Sequence, residues 1–434
     1  MSPRRPSALV EALYRRESLS WGLIGFTLGL VEGATAAVLV KKGYADLGSP
    51  QAVNLAVAFV SGAPALSNVV SFLWANLAHG RARVQLMVWL LAAFAVLVGV
   101  IGVTPPSSHG LWILVISLIA ARVVWAGILT VRASVWTANY PRAVLARITG
   151  RLVIITSLGV AVAAILAGYL LEAHPGQVRW LYAAAAATGL AAAWLYRHTR
   201  VRREFQLLSA EVEAVGRSEV FSLGILRKIL REDPAYRRYM FWLGLFGAGN
   251  LMVGAQLVIV FSDHLHLSST AQIGILAVVP LLSIPLFTPF WARMFDGGHV
   301  IEYRARQCWA LVAAMLVLIL AVFTQWPALL WLGALLLGAS TAGSNLGWNL
   351  GHSDFASLGK MQQYMGVNVT LTGMRGLVAP PAGVLAYEWL ERQTVGGGRY
   401  ALILPLAMTL AGAFGFNHLK GARTQSPRQT KADP

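Results

Sequence analysis

Three ionisable residues lie near the middle of long apolar segments in this chain of 434 residues, namely Glu32, Arg122 and Arg375. A charge near the centre of a lipid bilayer costs at least about 2.5–3.5 kcal/mol, so such a group must face a charged partner or water. A carboxyl group in this setting can take up and release a proton when its surroundings change. A guanidinium group can hold an anion through two parallel hydrogen bonds. These residue types therefore indicate proton binding or recognition of an anionic group.

Three interpretations of these charges remain open. In the first, Glu32 is a proton site whose protonation depends on how close Arg122 lies. In the second, Arg122 and Arg375 outweigh the single carboxylate, so the site is net positive and suits an anion. In the third, a fixed Glu32–Arg122 ion pair orders the helices and never contacts a solute. Two further charges, Arg132 and Arg151, lie toward the ends of their segments, which predicts that they reach the lipid headgroups.

The segments that must position these residues are apolar and helix-length along the whole chain. A helix needs about 20 apolar residues to cross the roughly 30 Å hydrocarbon core, because each residue advances the chain by about 1.5 Å. Twelve such segments occur: Leu19–Val40, Val53–Trp74, Val84–Val103, Leu111–Trp136, Ile148–Leu171, Trp180–Tyr196, Tyr239–Phe261, Ile273–Trp291, Cys308–Phe323, Pro327–Leu350, Val367–Tyr387 and Tyr400–Phe416. Strands of a membrane barrel are shorter and alternate in polarity. We therefore predict an all-α polytopic membrane protein with twelve transmembrane helices.

The distribution of charge predicts the topology. Apolar residues make up 57% of the chain and charged residues 12%, whereas a soluble domain carries about 25% charged residues. If the N-terminus is inside, 26 of the 35 Lys and Arg residues lie in cytoplasmic segments and five lie in outer loops. The positive-inside rule therefore predicts an integral protein of the cell (inner or plasma) membrane with cytoplasmic N- and C-termini, and the net charge of +17 does not indicate a nucleic-acid partner. The five outer residues are Lys41, Lys42, Arg179, Arg392 and Arg399.

The longest polar stretch divides the chain into two halves of six segments each. It covers residues 197–238, where charges alternate with Leu, Val, Ile and Phe at helical spacing. We predict an N-terminal six-helix bundle over residues 1–196 and a C-terminal six-helix bundle with a short basic tail over residues 239–434. Between them, residues 197–238 form a cytoplasmic linker, either a flexible one or one with an amphipathic helix on the membrane surface.

The two halves also echo each other in sequence. After the second segment the chain reads WANLAHGRAR, and after the eighth it reads FWARMFDGG. The spacing along the chain from Trp74 to Trp291 is the same as the spacing from Gly80 to Gly297. Matched loops at matched places indicate duplicated bundles that face each other across a central cavity.

With these features the chain resembles the major facilitator superfamily of secondary transporters over roughly its whole length. The resemblance rests on twelve spans, both ends inside, a long central loop, and a glycine-basic turn after the second span with a second copy after the eighth. The first turn lacks the family's aspartate, and the second has Asp296 and Gly297 at a tighter interval than the family's. The resemblance implies a motif that holds the cytoplasmic ends of helices in one of two states, while positive-inside anchoring is the alternative. The residues concerned are Trp74, Gly80, Arg81, Arg83, Trp291, Asp296 and Gly297.

The resemblance also implies that the first, fourth, seventh and tenth spans line the central cavity. Asn345 and Asn349 are four residues apart and share one helical face. Arg375, in the eleventh span, precedes Pro380 and Pro381, which must bend or loosen that helix. The predicted cavity residues are Glu32, Arg122, Asn250, Gln256, Asn345, Trp348, Asn349 and Arg375.

Several other activities lack their sequence signatures. No phosphate-binding GxxxxGK[ST] motif, zinc-binding histidine pair or nucleophile elbow occurs. A single Cys308 permits no internal disulfide, and a cluster of Asp263, His264 and His266 fits a solvated loop better than a metal site. We therefore predict no enzyme, no cofactor and no metal. The predicted function is transport of a small organic solute by alternating access, carried out by a monomer in the lipid bilayer. Coupling to protons is one form of this prediction, and the charges lean toward an anionic substrate. Efflux of an amphiphile, or a transport-dead membrane sensor or scaffold, are the alternatives.

Overall fold

The computed structural model describes residues 8–47, 49–140, 142–201, 204, 206, 208, 223–356 and 360–425. This part of the chain is helical and contains no strand. The helices are α1 (Ala8–Gly29), α2 (Gly33–Gly43), α3 (Pro50–Leu66), α4 (Ser71–Ala78), α5 (Arg83–Gly102), α6 (Ser108–Asn139), α7 (Arg142–Ala173), α8 (Val178–Tyr196), α9 (Leu223–Glu232), α10 (Pro234–Asp263), α11 (Ser269–Ile273), α12 (Val279–Asp296), α13 (Val300–Thr324), α14 (Pro327–Leu350), α15 (Met361–Gln393) and α16 (Ile403–Gln425). Short 3-10 turns cover Ser67–Val70, Pro175–Gln177 and Gly397–Leu402.

All twelve predicted segments are helical over most or all of their length. Among the described residues, ten helical stretches are long and apolar enough to cross a membrane. The predicted sixth and eleventh segments, in α8 and α15, are not among those ten stretches. These two helices contain 19 and 33 residues, and about 20 residues suffice to cross the hydrocarbon core. The helical membrane fold is confirmed, and crossing by α8 and α15 stays a prediction.

The helices form two bundles, α1–α8 and α10–α16, called here the first and second half. In the first half α1 packs against α7 and α8, and in the second half α14 packs against α12 and α13. The chain runs back and forth, so α1 begins and α16 ends at the same end of the bundle. We call it the terminal end, and we call the opposite end, where α2 and α10 finish, the far end.

The two halves approach most closely between α3 and α15. A Cβ atom added to Gly62 of α3 would lie only 2.5 Å from the carbonyl oxygen of Gly376 in α15. A Cβ atom added to Gly376 would lie 2.6 Å from the backbone nitrogen of Leu66. Small residues let two helix backbones touch in this way, which supplies the packing that holds membrane helices together.

Three of the predicted segments are interrupted in their interior. The first segment breaks between Gly29 and Gly33, and Glu32 occupies the N-cap of α2 with extended dihedral angles, φ −75° and ψ 134°. The second segment changes to a 3-10 turn just after Pro64. The eighth passes through a π-turn over Gly274–Val278 immediately before Pro280. Proline lacks the N–H that continues an α-helical ladder, which accounts for the break before Pro280.

Part of the predicted linker is described, and the rest lies outside the described residues. Its helix α9 is amphipathic: Ile229 is buried, whereas Arg227, Lys228 and Arg231 are exposed. It packs against α10 and α15. The position of α9 on a membrane surface stays a prediction.

Candidate functional site

A cavity of about 550 Å³ lies between the two halves. The first half contributes residues of α1, α2, α3, α6 and α7, and the second half contributes residues of α10, α12, α14 and the π-turn. Much of the wall is apolar. Its polar and aromatic members are Glu32, Ser61, Trp125, Arg132, Thr156, Ser157, Asn250 and Thr341.

Glu32 and Arg122 form an ion pair at the edge of this cavity. The Arg122 Nη1 atom donates to the Glu32 Oε2 atom at 2.9 Å. Arg122 is 6% exposed, whereas the Glu32 side chain is 38% exposed and lines the cavity. The break between α1 and α2 makes this possible, because Glu32 follows the end of one helix rather than lying inside a continuous one. The carboxylate therefore faces the cavity, and Arg122 supports it from behind.

Asn250 lines the cavity as predicted from the sequence, but Gln256 does not. Gln256 is completely buried between helices. Its Nε2 atom donates to the carbonyl oxygens of Gly383 at 2.7 Å and Ala401 at 3.2 Å. It lies further along α10, where the helix packs against α15, so it serves packing rather than the cavity.

The polar residues of the tenth span also lie away from this cavity. Asn345 and Asn349 are exposed, and Asn349 donates to the Asn345 carbonyl oxygen at 2.7 Å. The Trp348 indole donates to Thr372 Oγ1 at 3.3 Å. These residues share a face, as their spacing predicted, but that face is near the terminal end of α14, beyond the cavity residue Thr341. The prediction that Asn345, Trp348 and Asn349 line this cavity is therefore wrong.

Arg375 points into its own half and not into the cavity. Its Nη1 atom donates to the Leu243 carbonyl oxygen at 2.5 Å, and its Nη2 atom donates to Thr372 Oγ1 at 2.6 Å. Its Nε atom donates to the Leu371 carbonyl oxygen at 3.2 Å. These carbonyl and hydroxyl acceptors take the place of water around the guanidinium. This explains how a charged group is accommodated inside a helix bundle.

Arg132 is the arginine that reaches the cavity, although its position near a segment end predicted a headgroup anchor. It lines the cavity, and its Cζ atom lies 4.5 Å from the ring centroid of Trp136 and 5.0 Å from that of Trp21. Cation–π attraction to these rings holds the side chain inward. One signal in the sequence could have found this: Trp136 follows Arg132 by four residues and shares its helical face. Arg151, by contrast, is exposed.

A buried carboxylate lies close to this aromatic cluster and was not identified from the sequence. Glu17 is completely buried. It accepts hydrogen bonds from the Tyr140 hydroxyl at 2.8 Å and the Tyr196 hydroxyl at 3.5 Å. Burial and the neighbouring Glu17 raise the pKa of Tyr140, so its hydroxyl keeps its proton and remains a donor. The oxygens of the Glu17 carboxylate are thereby engaged by tyrosine hydroxyls.

The predicted conformational motif contains two equivalent tryptophan contacts. A Cβ atom added to Gly127 of α6 would lie 2.7 Å from the Trp74 ring. A Cβ atom added to Gly343 of α14 would lie 2.9 Å from the Trp291 ring. The Trp291 indole also donates to the Ala339 carbonyl oxygen at 2.7 Å. In each half, the tryptophan that ends the second span therefore packs on a glycine of the fourth.

The turns that follow these tryptophans receive carboxylates from elsewhere in the chain. Gly80 has a positive φ of 65°, Arg81 is exposed, and Arg83 begins α5 with its backbone N–H donating to Glu204 Oε1 at 2.9 Å. In the second half the Val300 N–H, at the start of α13, donates to Asp354 Oδ2 at 2.6 Å.

Asp296 and Gly297, which the sequence analysis assigned to the second copy of the motif, are both exposed. Gly297 has φ −83°, which any residue can adopt. The carboxylate that holds this turn is Asp354, from the loop after the tenth span. A carboxylate at the start of a helix is favourable because the helix dipole and free N–H groups attract negative charge.

Polar contacts join the two halves at the far end. Lys41 Nζ donates to Asp263 Oδ2 at 2.8 Å and to Asn54 Oδ1 at 2.7 Å. Asn54 Nδ2 in turn donates to Glu388 of α15. Lys41 is only 8% exposed, although the sequence analysis placed it in an outer loop, because α2 extends to Gly43 and carries it into the interface.

A second cross-half contact lies nearby. The Thr270 hydroxyl of α11 donates to Glu172 Oε2 of α7 at 2.9 Å. A Cβ atom on Gly168 would lie 3.1 Å from the Thr270 Cα atom, so the two helices touch there. The far end is thus bridged by two sets of contacts between the halves.

Comparisons with known proteins agree on the fold. The chain is similar to a variant of the nucleoside transporter NupG, with 12% sequence identity, 93% of this chain and 99% of that chain covered, and a TM-score of 0.73. It is similar to a D-xylose-proton symporter, with 13% identity, 94% and 97% covered, and a TM-score of 0.69. It is also similar to the inward open conformation of the xylose transporter XylE from E. coli, with 12% identity, 95% and 99% covered, and a TM-score of 0.66.

Among proteins with curated descriptions, none matches the sequence. The family model described as Major Facilitator Superfamily matches residues 17–380. That match runs from the buried Glu17 to Pro380 in the eleventh span and covers well over half of the chain. Together with the two helical bundles and the cavity between them, it establishes that the chain belongs to the major facilitator superfamily.

Proposed function

We propose that this protein is a secondary active transporter that moves a small organic solute by alternating access. The observation that carries the proposal is the cavity of about 550 Å³ between two bundles that are bridged at one end. A cavity of this size matches the range of small-molecule sites, about 300–1,000 Å³. The two halves can exchange access by rocking around it.

The contacts between the halves support access from the terminal end. At the far end, α2 contacts α10 and α11 of the second half. At the terminal end, α1 packs mainly against α7 and α8 of its own half. The far part of the first span, α2, therefore contacts the second half. Its terminal part, α1, contacts mainly its own half. With cytoplasmic termini, as the charge distribution predicts, this arrangement is open toward the cytoplasm.

Glu32 is the proposed proton site. It is the ionisable carboxylate that lines the cavity, and its only bonded partner among the described residues is Arg122. Protonation of Glu32 would release Arg122 from its ion pair, so proton binding and helix arrangement are linked. One of the solved structures of similar fold is described as a proton symporter, so this fold accommodates proton coupling.

The test uses purified protein in proteoliposomes with an imposed pH gradient and a panel of labelled solutes, including xylose, uridine and phenylacetate. We expect the wild type to accumulate at least one solute in response to the gradient. The Glu32→Gln variant should lose that response but still exchange solute down the solute's own gradient. Glu11→Gln, an exposed carboxylate of α1, is the control and should behave as wild type. A full response in Glu32→Gln would overturn the proton site.

Efflux of an amphiphile is the second candidate, because most of the cavity wall is apolar. Leu28, Val160, Leu257, Leu276 and Leu281 all line it. The same proteoliposomes loaded with a fluorescent amphiphilic dye would reveal outward movement of the dye. If no solute or dye moves in any arrangement, transport is wrong and a sensor or scaffold role takes its place.

A further inference from the structure

We infer that Arg132 forms an anion subsite of the central cavity, which takes the carboxylate or phosphate monoester of a solute with an apolar or aromatic body. This inference deepens the proposed function by naming the substrate class. It moves anion recognition away from Arg122 and Arg375, to which the sequence analysis assigned it. Both of those guanidinium groups already have acceptors within the protein.

The contacts of the charged groups single out Arg132. The Glu32 carboxylate is paired with Arg122, and the Glu17 carboxylate accepts hydrogen bonds from Tyr140 and Tyr196. Glu17 attracts Arg132 at longer range, but among the residues that the structure describes no carboxylate oxygen lies within 4.0 Å of the Arg132 guanidinium. Arg132 therefore lines the cavity without a direct ion pair. An anionic group of a solute would supply that missing contact.

The geometry of the guanidinium supports the same conclusion. Its Cζ atom lies 5.0 Å from the ring centroid of Trp21 and 4.5 Å from that of Trp136. Its Nε atom is buried and has no hydrogen-bond acceptor among the described residues. Cation–π attraction holds a guanidinium in place without supplying a hydrogen-bond acceptor to its N–H groups. An oxyanion in the cavity that accepts N–H bonds from this guanidinium would supply an acceptor.

The surroundings indicate what the rest of the solute is. Trp125 precedes Arg132 by two helical turns, so both side chains lie on one face of α6, and both line the cavity. Ser157 of α7 and Asn250 of α10 line the same cavity. A solute whose acidic group binds Arg132 would therefore place its body against an indole ring and two hydrogen-bonding side chains. Aromatic and heteroaromatic acids fit this arrangement better than small inorganic anions.

Wild-type binding is tested first, in detergent, by thermal stabilisation with matched probes. The probes are phenylacetate and indole-3-acetate, their uncharged amides, phenyl phosphate, and inorganic phosphate. We expect at least one organic acid or phenyl phosphate to raise the melting temperature at millimolar concentration, while its amide or inorganic phosphate does not. This comparison requires no substitution, so it holds whether or not a variant folds. If no acid stabilises the protein, or if amides stabilise it equally, the subsite is overturned.

Variants then locate the site. Arg132→Gln should weaken binding of the acid by about tenfold or more, and Arg132→Lys should retain part of it, since lysine keeps the charge but not the planar fork. Arg151→Gln, which removes an exposed arginine from α7, is the matched control and should bind as wild type. Each variant is first checked for a single symmetric peak in size-exclusion chromatography. If folded Arg132→Gln binds the acid as tightly as wild type does, the assignment to Arg132 is wrong.

Transport separates this inference from the proposed function. If wild type and Arg132→Gln move uncharged solutes equally and bind no acid, the transporter stands and the anion subsite fails. If the acids bind through Arg132 but no solute crosses proteoliposome membranes, the subsite stands and the transport function fails.

Discussion

The two halves of the molecule share their scaffold but not their charges. The scaffold repeats in the tryptophan contacts, where Trp74 packs on Gly127 and Trp291 packs on Gly343. The spacing along the chain between the two tryptophans differs by a single position from the spacing between the two glycines. The same positions of the duplicated bundle therefore meet in space. Packing between the second and fourth spans is a property that both copies kept.

The start of the third span in each half repeats as well. Arg83 begins α5 and Val300 begins α13, and their spacing along the chain equals that of the two tryptophans. Each backbone N–H donates to a carboxylate, Glu204 in the first half and Asp354 in the second. The carboxylates come from different loops, so the two halves reach the same local arrangement with unrelated residues.

The ionised groups of the cavity, by contrast, are not repeated in the two halves. At the spacing that relates the two tryptophans, the counterpart of Glu32 in the second half is Gly249; at the spacing that relates the two glycines, the counterparts of Arg122 and Arg132 are Gly338 and Trp348. Among the described residues, the first half alone supplies the charges that line the cavity. At the far end it supplies Lys41, and the second half supplies Asp263 and Glu388. Features common to both halves therefore belong to the packing of the fold, whereas the residues proposed to bind the solute and to close the far end differ between the halves.

Closure of the far end provides the largest expected effect. Lys41→Met would leave Asp263 without its cation. Breaking a buried ion pair is costly, but the Asp263 side chain is 36% exposed, so the loss is nearer to that of a charged hydrogen bond, about 2 kcal/mol. The state open at the far end should therefore become roughly 30-fold more populated, since each 1.4 kcal/mol is a factor of ten. The measurement is the rate at which an impermeant maleimide labels Ser61→Cys from the far side, in a Cys308→Ser background.

Two further variants sharpen this result. Arg392→Met, an exposed cation at the same end, is the control and should leave the labelling rate unchanged. Exchange of the charges, with Lys41→Asp and Asp263→Lys together, should restore part of the protection. If Lys41→Met labels at the wild-type rate, the far end is not held by this pair.

The repeated tryptophan contacts provide the next effect. Gly127→Ala and Gly343→Ala would each place a Cβ atom within 3 Å of an indole ring. Overpacking of this kind costs about 1–3 kcal/mol, and the better helix propensity of alanine offsets up to about 1 kcal/mol. We expect both variants to lose about 1–2 kcal/mol of unfolding free energy, measured by denaturant unfolding in mixed micelles.

The control for both is a helical glycine with open space around it. A Cβ atom on Gly150 or Gly254 meets no atom within 4 Å, so alanine there should be neutral or stabilising. Equal losses at Gly127 and Gly343 would support the shared scaffold. If one half tolerates the substitution and the other does not, the two contacts are not equivalent.

The sequence was sufficient to predict those parts of the molecule that depend on the pattern of residues along a single helix. Apolar length predicted the helices, and the echo of Trp74 and Trp291 pointed to positions that are equivalent in the structure. A Glu32–Arg122 ion pair was one of the interpretations left open, because each residue lies mid-span in a helix that the family resemblance places at the cavity. These inferences need only the position of a residue along its own helix.

The sequence was insufficient where a neighbouring helix decides the outcome. Arg132 was interpreted as an anchor, because nothing along its own helix shows that Trp21 lies beside it. Lys41 was counted in an outer loop, because its partner Asp263 belongs to the other half of the chain. Gln256 was assigned to the cavity by helix number, whereas the rotation of α10 turns it toward Gly383. In each case the missing information is the identity of the residue across the interface.

The smallest expected effects concern the carboxylates at the start of the third span of each half. Asp354→Asn should cost about 1 kcal/mol, because an amide oxygen is a weaker acceptor at a helix N-terminus than a carboxylate. Glu204→Gln should cost less, since the hydrogen bond from the Arg83 N–H to Glu204 is 2.9 Å long, whereas that from the Val300 N–H to Asp354 is 2.6 Å long. Hydrogen exchange at the first turns of α13 and α5 measures both.

The pattern of exchange separates local from global effects. Asp354→Asn should speed exchange at the start of α13 but not α5, and Glu204→Gln should do the reverse. Asp296→Asn is the control, because Asp296 is exposed and belongs to the turn that the sequence first indicated. If Asp296→Asn speeds exchange at α13 as much as Asp354→Asn does, the carboxylate assigned by geometry is wrong. The second half would then hold its turn through its own motif, and the resemblance between the halves would be one of sequence rather than of hydrogen bonding.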